Sequence, residues 1–216
     1  MPKSKAQISV SLDGYMAGPN QSERDPLGEG GEGLHGWAFK LAAFQDAHHG
    51  EGGEGDENPS NAVLAVARAE IGAVVMGRNM FGPVRGEWGE EDWRGWWGED
   101  PPFRTPVFVL THHPRESFEL EGGNSFHFVS GGIEAAMARA REAAGGKDVS
   151  IGGGASTLRQ AIAAGELDEL LVSQVPIFLG GGESLFAGLP AGTAGFELRE
   201  VVRGPEALHL TYAIHS

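Results

Sequence analysis

The chain has 216 residues, 35 of them glycine and none cysteine, and a formal net charge of −14. That length buries a core without covalent staples, and the lack of cysteine excludes disulfides, zinc–thiolate centres and thiol nucleophiles. The acidic excess argues against nucleic acid and anionic membrane surfaces as partners. It leaves an anionic small molecule only if the few basic side chains gather locally.

The start, "MPKSKAQISVSLDGYMAG", has two lysines before a short apolar run broken by Asp13, unlike a signal peptide. No apolar stretch approaches the roughly 18 residues of a membrane helix, and a cytoplasmic protein is expected. Gln7 to Leu12 reads as a strand, and the Gly/Pro/Asn-rich stretch 18–33 as a loop. Leu34 to His48 carries Leu34, Trp37, Ala38, Leu41, Ala42 and Phe44 at the spacing of one helical face. The acidic, glycine-rich stretch 49–59 is too polar to pack. Ser60 to Glu70 reads as a second helix with Asn58 or Ser60 as cap. "IGAVVMG" (Ile71 to Gly77) is continuously apolar, as in a strand covered on both faces. A loop over 82–105 then holds Trp88, Trp93, Trp96 and Trp97, either as an aromatic lid over a flat ligand or as part of a subunit interface. Strands follow at Pro106 to Thr111 and Ser125 to Ser130, and a helix at Ile133 to Ala144. Next come a strand at Asp148 to Ile151, a helix at Ser156 to Ala164 and a long strand at Asp168 to Leu179. Two closing strands flank a Gly204-Pro205 turn. The alternation predicts an α/β domain over 1–216 with a mainly parallel sheet, and the helix-free tail predicts an antiparallel C-terminal edge.

Four strand ends carry chemistry, and in parallel sheets ligands lie outside the strands' carboxyl ends. "IGGGAST" places Gly152, Gly153, Gly154, Ala155, Ser156 and Thr157 between a strand and a helix. There, backbone N–H groups and the helix dipole favour a phosphate; the alternative is a plain turn. Thr157 stands where a dinucleotide fingerprint needs glycine, so an ordinary Rossmann dehydrogenase is disfavoured. "VVMGRNMFG" puts Arg78 just past a buried strand, with a planar donor fork for a phosphate. "VLTHHPR" offers Thr111, His112, His113 and Arg115 at another strand end; adjacent histidines on a strand diverge, so no metal site is expected. Asp13 either binds a substrate hydroxyl or amine, passes a proton, or forms an ordinary Asp-Gly turn. The second triplet, "LGGGES", precedes no convincing helix and is read as a structural turn. A P-loop, a Tyr-x-x-x-Lys pair and a G-x-S-x-G elbow are absent from the sequence.

In order, "ISVSLDGYMAG", "VVMGRNMFG", "PVFVLTHHPR", "VSIGGGASTLRQAI" and "LDELLVSQVPIFLGGGESLF" resemble the dihydrofolate reductase-like superfamily. The closer likeness is to the reductase domain of the bacterial riboflavin-pathway deaminase-reductase and its stand-alone relatives. It covers nearly the whole chain except 18–33, 49–59 and 82–105, which are expected to be mobile loops. The resemblance implies a three-layer α/β/α fold, NADPH as cofactor, a small-molecule substrate and a homodimer. It assigns Gly77, Arg78 and Asn79 to the pyrophosphate region, and Thr111, His112, His113 and Arg115 to the adenosine 2′-phosphate. It places Gly152 to Ala155, Ser156 and Thr157 at the pyrophosphate and nicotinamide side, and Ser9, Asp13, Met16 and Asn20 beside nicotinamide and substrate.

Two departures bear on substrate. The riboflavin-pathway reductases carry a substrate-binding glutamate just before their Gly-Gly, where this chain has Ile151 and Gly152. Dihydrofolate reductases carry a pterin-binding carboxylate on the first helix, where only Asp46, near the wrong end, is available. The sequence also contains no deaminase zinc motif. The expected activity is hydride transfer from NADPH to a carbonyl or imine carbon of a small polar or heterocyclic substrate. The alternatives are the 5-amino-6-(5-phosphoribosylamino)uracil reductase of riboflavin biosynthesis, or a non-catalytic nucleotide-binding or interaction module.

Overall fold

A computed structural model of the chain describes residues 1–49, 54–82, 86–89 and 93–215. In chain order it contains β1 (Ser4–Val10), β2 (Tyr15–Ala17), α1 (Gly36–Phe39), α2 (Ala42–His49), α3 (Pro59–Arg68), β3 (Ile71–Gly77) and α4 (Arg78–Phe81). There follow β4 (Pro106–Leu110), β5 (Phe118–Glu119), β6 (Ser125–Val129), α5 (Gly132–Ala143), β7 (Asp148–Gly153), α6 (Ala155–Ala163), β8 (Glu169–Gln174), β9 (Glu183–Ser184), β10 (Gly195–Arg203) and β11 (Leu208–His215). Packing divides the chain into two units, Met1–Ala6 with Glu70–Leu167, and Gln7–Ala69 with Asp168–Ser216. The fold is α/β, with a mostly parallel sheet and an antiparallel edge formed by the C-terminal strands.

In the first unit the strand order is β1-β7-β3-β4-β6-β5, parallel throughout except for the β5–β6 pair. Parallel strands covered on both faces select continuous apolar runs, and β3 obeys: Ala73, Val74, Val75 and Met76 are all buried. Val74 and Met76 share one face with Val107, Val109, Phe126 and Phe128. That face is covered by Phe81 of α4 and by Trp88, Trp93, Trp97 and Phe103. The tryptophan-rich loop thus supplies the layer that a long helix would otherwise provide. Helices α5 and α6 pack against the same strands, with Arg139 of α5 over Phe108.

The second unit has the strand order β10-β11-β8-β1, with β10–β11 and β11–β8 antiparallel, and a separate β2–β9 pair. Its core joins Leu34, Trp37, Ala38, Leu41, Leu64, Val175 and Ala207. Asn58 caps α3, its side chain accepting from Ser60 N and Asn61 N at 2.9 and 3.3 Å. Three side chains form a buried polar chain, with His209 Nδ1 2.9 Å from Ser173 Oγ and His209 Nε2 2.8 Å from Ser60 Oγ. Burial lowers the His209 pKa below the ordinary histidine value of about 6.5. The unfolded chain therefore takes up a proton near pH 6.5 that the folded chain refuses, and stability falls as pH drops through that value. His209→Gln, which keeps bonding groups but cannot ionise, should flatten this slope in urea unfolding at about pH 7.5 and pH 5.5. Burial lowers His35 and His127 in the same direction, so the slope is reduced rather than abolished.

Several sequence-based boundaries are corrected. The expected strand Gln7 to Leu12 lies at Ser4–Val10. The single helix over Leu34 to His48 is a 3-10 turn, Gly31–Leu34, followed by α1 and α2. The break falls where Asp56 claims the backbone, its N–H donating to Lys40 O at 2.7 Å and its O accepting from Ala42 N at 3.3 Å. The long strand to Leu179 stops at Gln174, because Pro176 has no N–H for a ladder. Of the loops expected to be mobile, residues 50–53, 83–85 and 90–92 lie outside the described residues.

Candidate cofactor site

Strands β7, β3 and β4 are adjacent and parallel, so their carboxyl ends open on one edge of the first unit. The end of β7 runs through Gly152 and Gly153, two residues further than expected. Gly153 has φ +120, a conformation only glycine adopts readily, and the Gly153–Gly154 peptide is cis. Gly154 then opens α6 with no side-chain cap, which leaves the first N–H groups of the helix, at Ala155, Ser156 and Thr157, without an intrahelical acceptor. A Cβ at Gly154 would meet nothing within 4 Å. At the end of β3, a Cβ on Gly77 would lie 2.4 Å from Thr157 Oγ1. The missing side chain is what lets β3 close on the first turn of α6. Thr157 is buried there and Ser156 is exposed, with Ser156 Oγ accepting from Gln160 Nε2 at 3.2 Å.

Beside this cradle, Arg78 lies in α4 with its guanidinium carbon 3.6 Å from the centre of the Trp88 ring. It donates to Gly86 O, and to Glu87 O at 3.4 Å. Asn79 is exposed on the same helical turn. At the end of β4, Thr111 Oγ1 accepts from His113 N at 3.0 Å, folding the strand end back on itself. His112 is exposed, whereas His113 Nδ1 lies 2.9 Å from a Glu87 carboxylate oxygen. Arg115 donates to Trp93 O at 2.6 Å and faces the Trp88 ring at 5.0 Å. Trp88 also donates through Nε1 to His113 O at 2.9 Å. One indole thus organises both arginines through cation–π contacts. The sequence pattern carries no sign of this, since nothing in the spacing of Trp88 distinguishes it from its three neighbours.

The profile of the RibD C-terminal domain family matches residues 2–210. The chain belongs to that family. As a RibD C-terminal domain it is an enzyme, an oxidoreductase. No curated protein matches it in sequence. Among solved structures, a candidate riboflavin biosynthesis protein of Shewanella sp. PV-4 is 22% identical with TM-score 0.59, covering 99% of both chains. Dihydrofolate reductase from Enterococcus faecalis, solved with NADP(H), is 15% identical with TM-score 0.52, covering 99% of this chain and 97% of its own. A Thermotoga maritima diaminohydroxyphosphoribosylaminopyrimidine deaminase/5-amino-6-(5-phosphoribosylamino)uracil reductase is 12% identical with TM-score 0.55. This RibD-type chain spans 56% of that protein's length. At such identities the likeness is one of fold.

The four residues expected on the substrate side of this RibD domain all lie in the second unit. Ser9 is buried and accepts from Trp37 Nε1 at 3.1 Å. Met16 is half-buried in β2. Asn20, at φ +58, donates to Glu29 Oε1 at 2.9 Å. The Asp13 carboxylate accepts from Ser11 Oγ at 2.6 Å, Leu179 N at 3.2 Å and Gly180 N at 2.7 Å. Burial pushes its pKa up, but these donors together outweigh it and hold the carboxyl below the usual range.

Proposed function

We propose that the chain is an NADPH-dependent oxidoreductase that delivers a hydride to a carbonyl or imine carbon of a small polar or heterocyclic substrate. The observation that carries this reading is the convergence of three strand ends in an acidic chain. The uncapped start of α6 behind Gly154, Arg78 beside Gly77, and the Thr111–Arg115 turn open on one edge of neighbouring parallel strands. Such a set fits a dinucleotide. N–H groups at a helix start bind a pyrophosphate, and a half-buried arginine beside a histidine suits a 2′-phosphate. Gly77, Arg78, Asn79 and Gly152 to Thr157 would hold the pyrophosphate, with Thr111, His112, His113 and Arg115 at the 2′-phosphate. A bound NADPH supplies the hydride from its nicotinamide ring.

Ser9, Met16 and Asn20 flank the substrate. Asp13, whose carboxylate already accepts three hydrogen bonds and stays ionised, orients the Leu179-Gly180 turn; the proton that completes reduction comes from water. A homodimer acting on a small molecule in the cytoplasm completes the proposal; among the described residues no helix is long and apolar enough to cross a membrane.

The family supports a second reading, the 5-amino-6-(5-phosphoribosylamino)uracil reductase of riboflavin biosynthesis. Against it, Ile151 is fully buried and Gly152 has no side chain, so neither offers the substrate a carboxylate. Titration of the purified chain with NADPH and NADH, followed by NADPH oxidation across a panel of carbonyl and imine substrates, tests both. Submillimolar NADPH binding with turnover is expected. Absence of binding by either dinucleotide would sink the proposal, and binding without oxidation would favour a non-catalytic module. Rapid turnover of the ribosylaminopyrimidine would establish the second reading.

A further inference from the structure

The three residues Gly86-Glu87-Trp88 engage nearly every basic group of the candidate site at once. Their backbone oxygens at 86 and 87 take the Arg78 guanidinium. The Trp88 ring lies against Arg78 and faces Arg115, and its N–H holds His113 O. Between these anchors the Glu87 carboxylate meets the His113 ring at 2.9 Å. A carboxylate thus rests beside a histidine that, on the dinucleotide reading, faces a phosphate.

The pair sits at the solvent edge. The Glu87 side chain is 88% exposed and that of His113 29%. A contact of this kind shifts an equilibrium by no more than about fivefold, so an arriving phosphate, with its charge of about −2, can displace it from the ring. The backbone that carries the carboxylate cannot retreat far, because residue 87 is tied through its own oxygen to Arg78 and residue 88 is held by Arg78 and His113. The carboxylate thus stays within one side-chain length of the ring. The displaced carboxylate therefore stays near the phosphate and repels it. A ribose 2′-hydroxyl meets no such repulsion.

Resting on the NADPH reading above, we propose that Glu87 is a specificity-determining residue that opposes the 2′-phosphate by occupying His113 in its place. It moderates the preference for NADPH over NADH that Arg115 and His113 would otherwise set.

The test is equilibrium titration of the wild type and Glu87→Gln with NADPH and with NADH, each at low and high salt. Glutamine keeps the size and can donate to a phosphate, and at an exposed position it should not disturb folding, which circular dichroism checks. Expected is an NADPH dissociation constant lowered about two- to fivefold at low salt, a smaller gain at high salt, and an unchanged NADH constant. An NADPH constant that does not improve overturns the proposal, and so does a salt-independent gain. Weaker NADH binding in the variant overturns it as well, since it would make Glu87 a ligand of the 2′-hydroxyl. Failure of the underlying reading looks different: the wild type then binds neither dinucleotide, and the proposal falls with it.

Discussion

Arg115→Ala is expected to weaken NADPH binding about tenfold to a hundredfold, the worth of one charge-assisted hydrogen bond of about 1.5–3 kcal/mol, and to leave NADH nearly unchanged. The asymmetry is the point. Arg115 is held by Trp93 O at 2.6 Å and lies 5.0–5.4 Å from the rings of Trp88, Phe118 and Phe128. Its guanidinium is therefore pre-positioned, and little side-chain entropy is lost when it meets a phosphate. Those contacts also mean that truncation removes packing, so the variant should unfold at lower urea concentration. Packing loss alone would weaken both dinucleotides together. Paired titrations with NADPH and NADH separate the two roles, and an equal loss for both would remove Arg115 from the 2′-phosphate site. Arg115→Lys should recover only part of the difference, because lysine keeps the charge but loses the planar fork.

The second glycine triplet should respond quite differently. Gly182 has φ +118, and a Cβ there would lie 2.0 Å from Ala17 O and 2.6 Å from the carbonyl carbon of Gly18. Both neighbours are backbone atoms of the segment that pairs with β9, so neither yields cheaply. Gly182→Ala combines a strained backbone with a steric clash and should cost roughly 3 kcal/mol or more. Gly181→Ala, one residue earlier and with nothing within 4 Å of its Cβ, should change stability by less than about 0.5 kcal/mol. Urea unfolding of the two variants is the measurement. Equal stabilities would refute the idea that this triplet is a structural joint.

In sequence, what separates the readings of the two triplets is the stretch C-terminal to each, a helical run after "IGGGAST" and none after "LGGGES". The clamp on the second, with Asp13 accepting from Leu179 and Gly180, joins residues far apart in the chain and leaves no local pattern. Strand β3 was legible to the residue, because burial on both faces writes itself as an unbroken apolar run. The apolar face of Leu34, Trp37, Ala38 and Leu41 was equally legible, and all four are buried together. The continuity of that helix was not, since Asp56 breaks it through main-chain bonds that any residue except proline could make. The cofactor-side candidates gather in one unit because strand ends in a parallel sheet share an edge, which an ordered set of motifs can convey. The contacts of Trp88 and Glu87 at the candidate site leave no such pattern, for the opposite reason. Their roles come from tertiary contacts of a loop whose composition points to either a lid or a subunit interface.

Strand β1 contributes Ser4–Ala6 to one unit and its remaining residues to the other, and this has a consequence for a chain made from its N-terminus. Neither unit is a contiguous stretch of sequence, so neither can be completed as the polypeptide first emerges. The opening residues of β1 must wait for β7, at Asp148–Gly153, before they find their pairing partner. The second unit waits longer, because β8 pairs with β11 at Leu208–His215. During that interval β1 is present without either of its sheet neighbours, β7 and β8. Nascent chains in this condition are prone to aggregate, and the high share of sequence-distant pairings should make folding slow once synthesis is over.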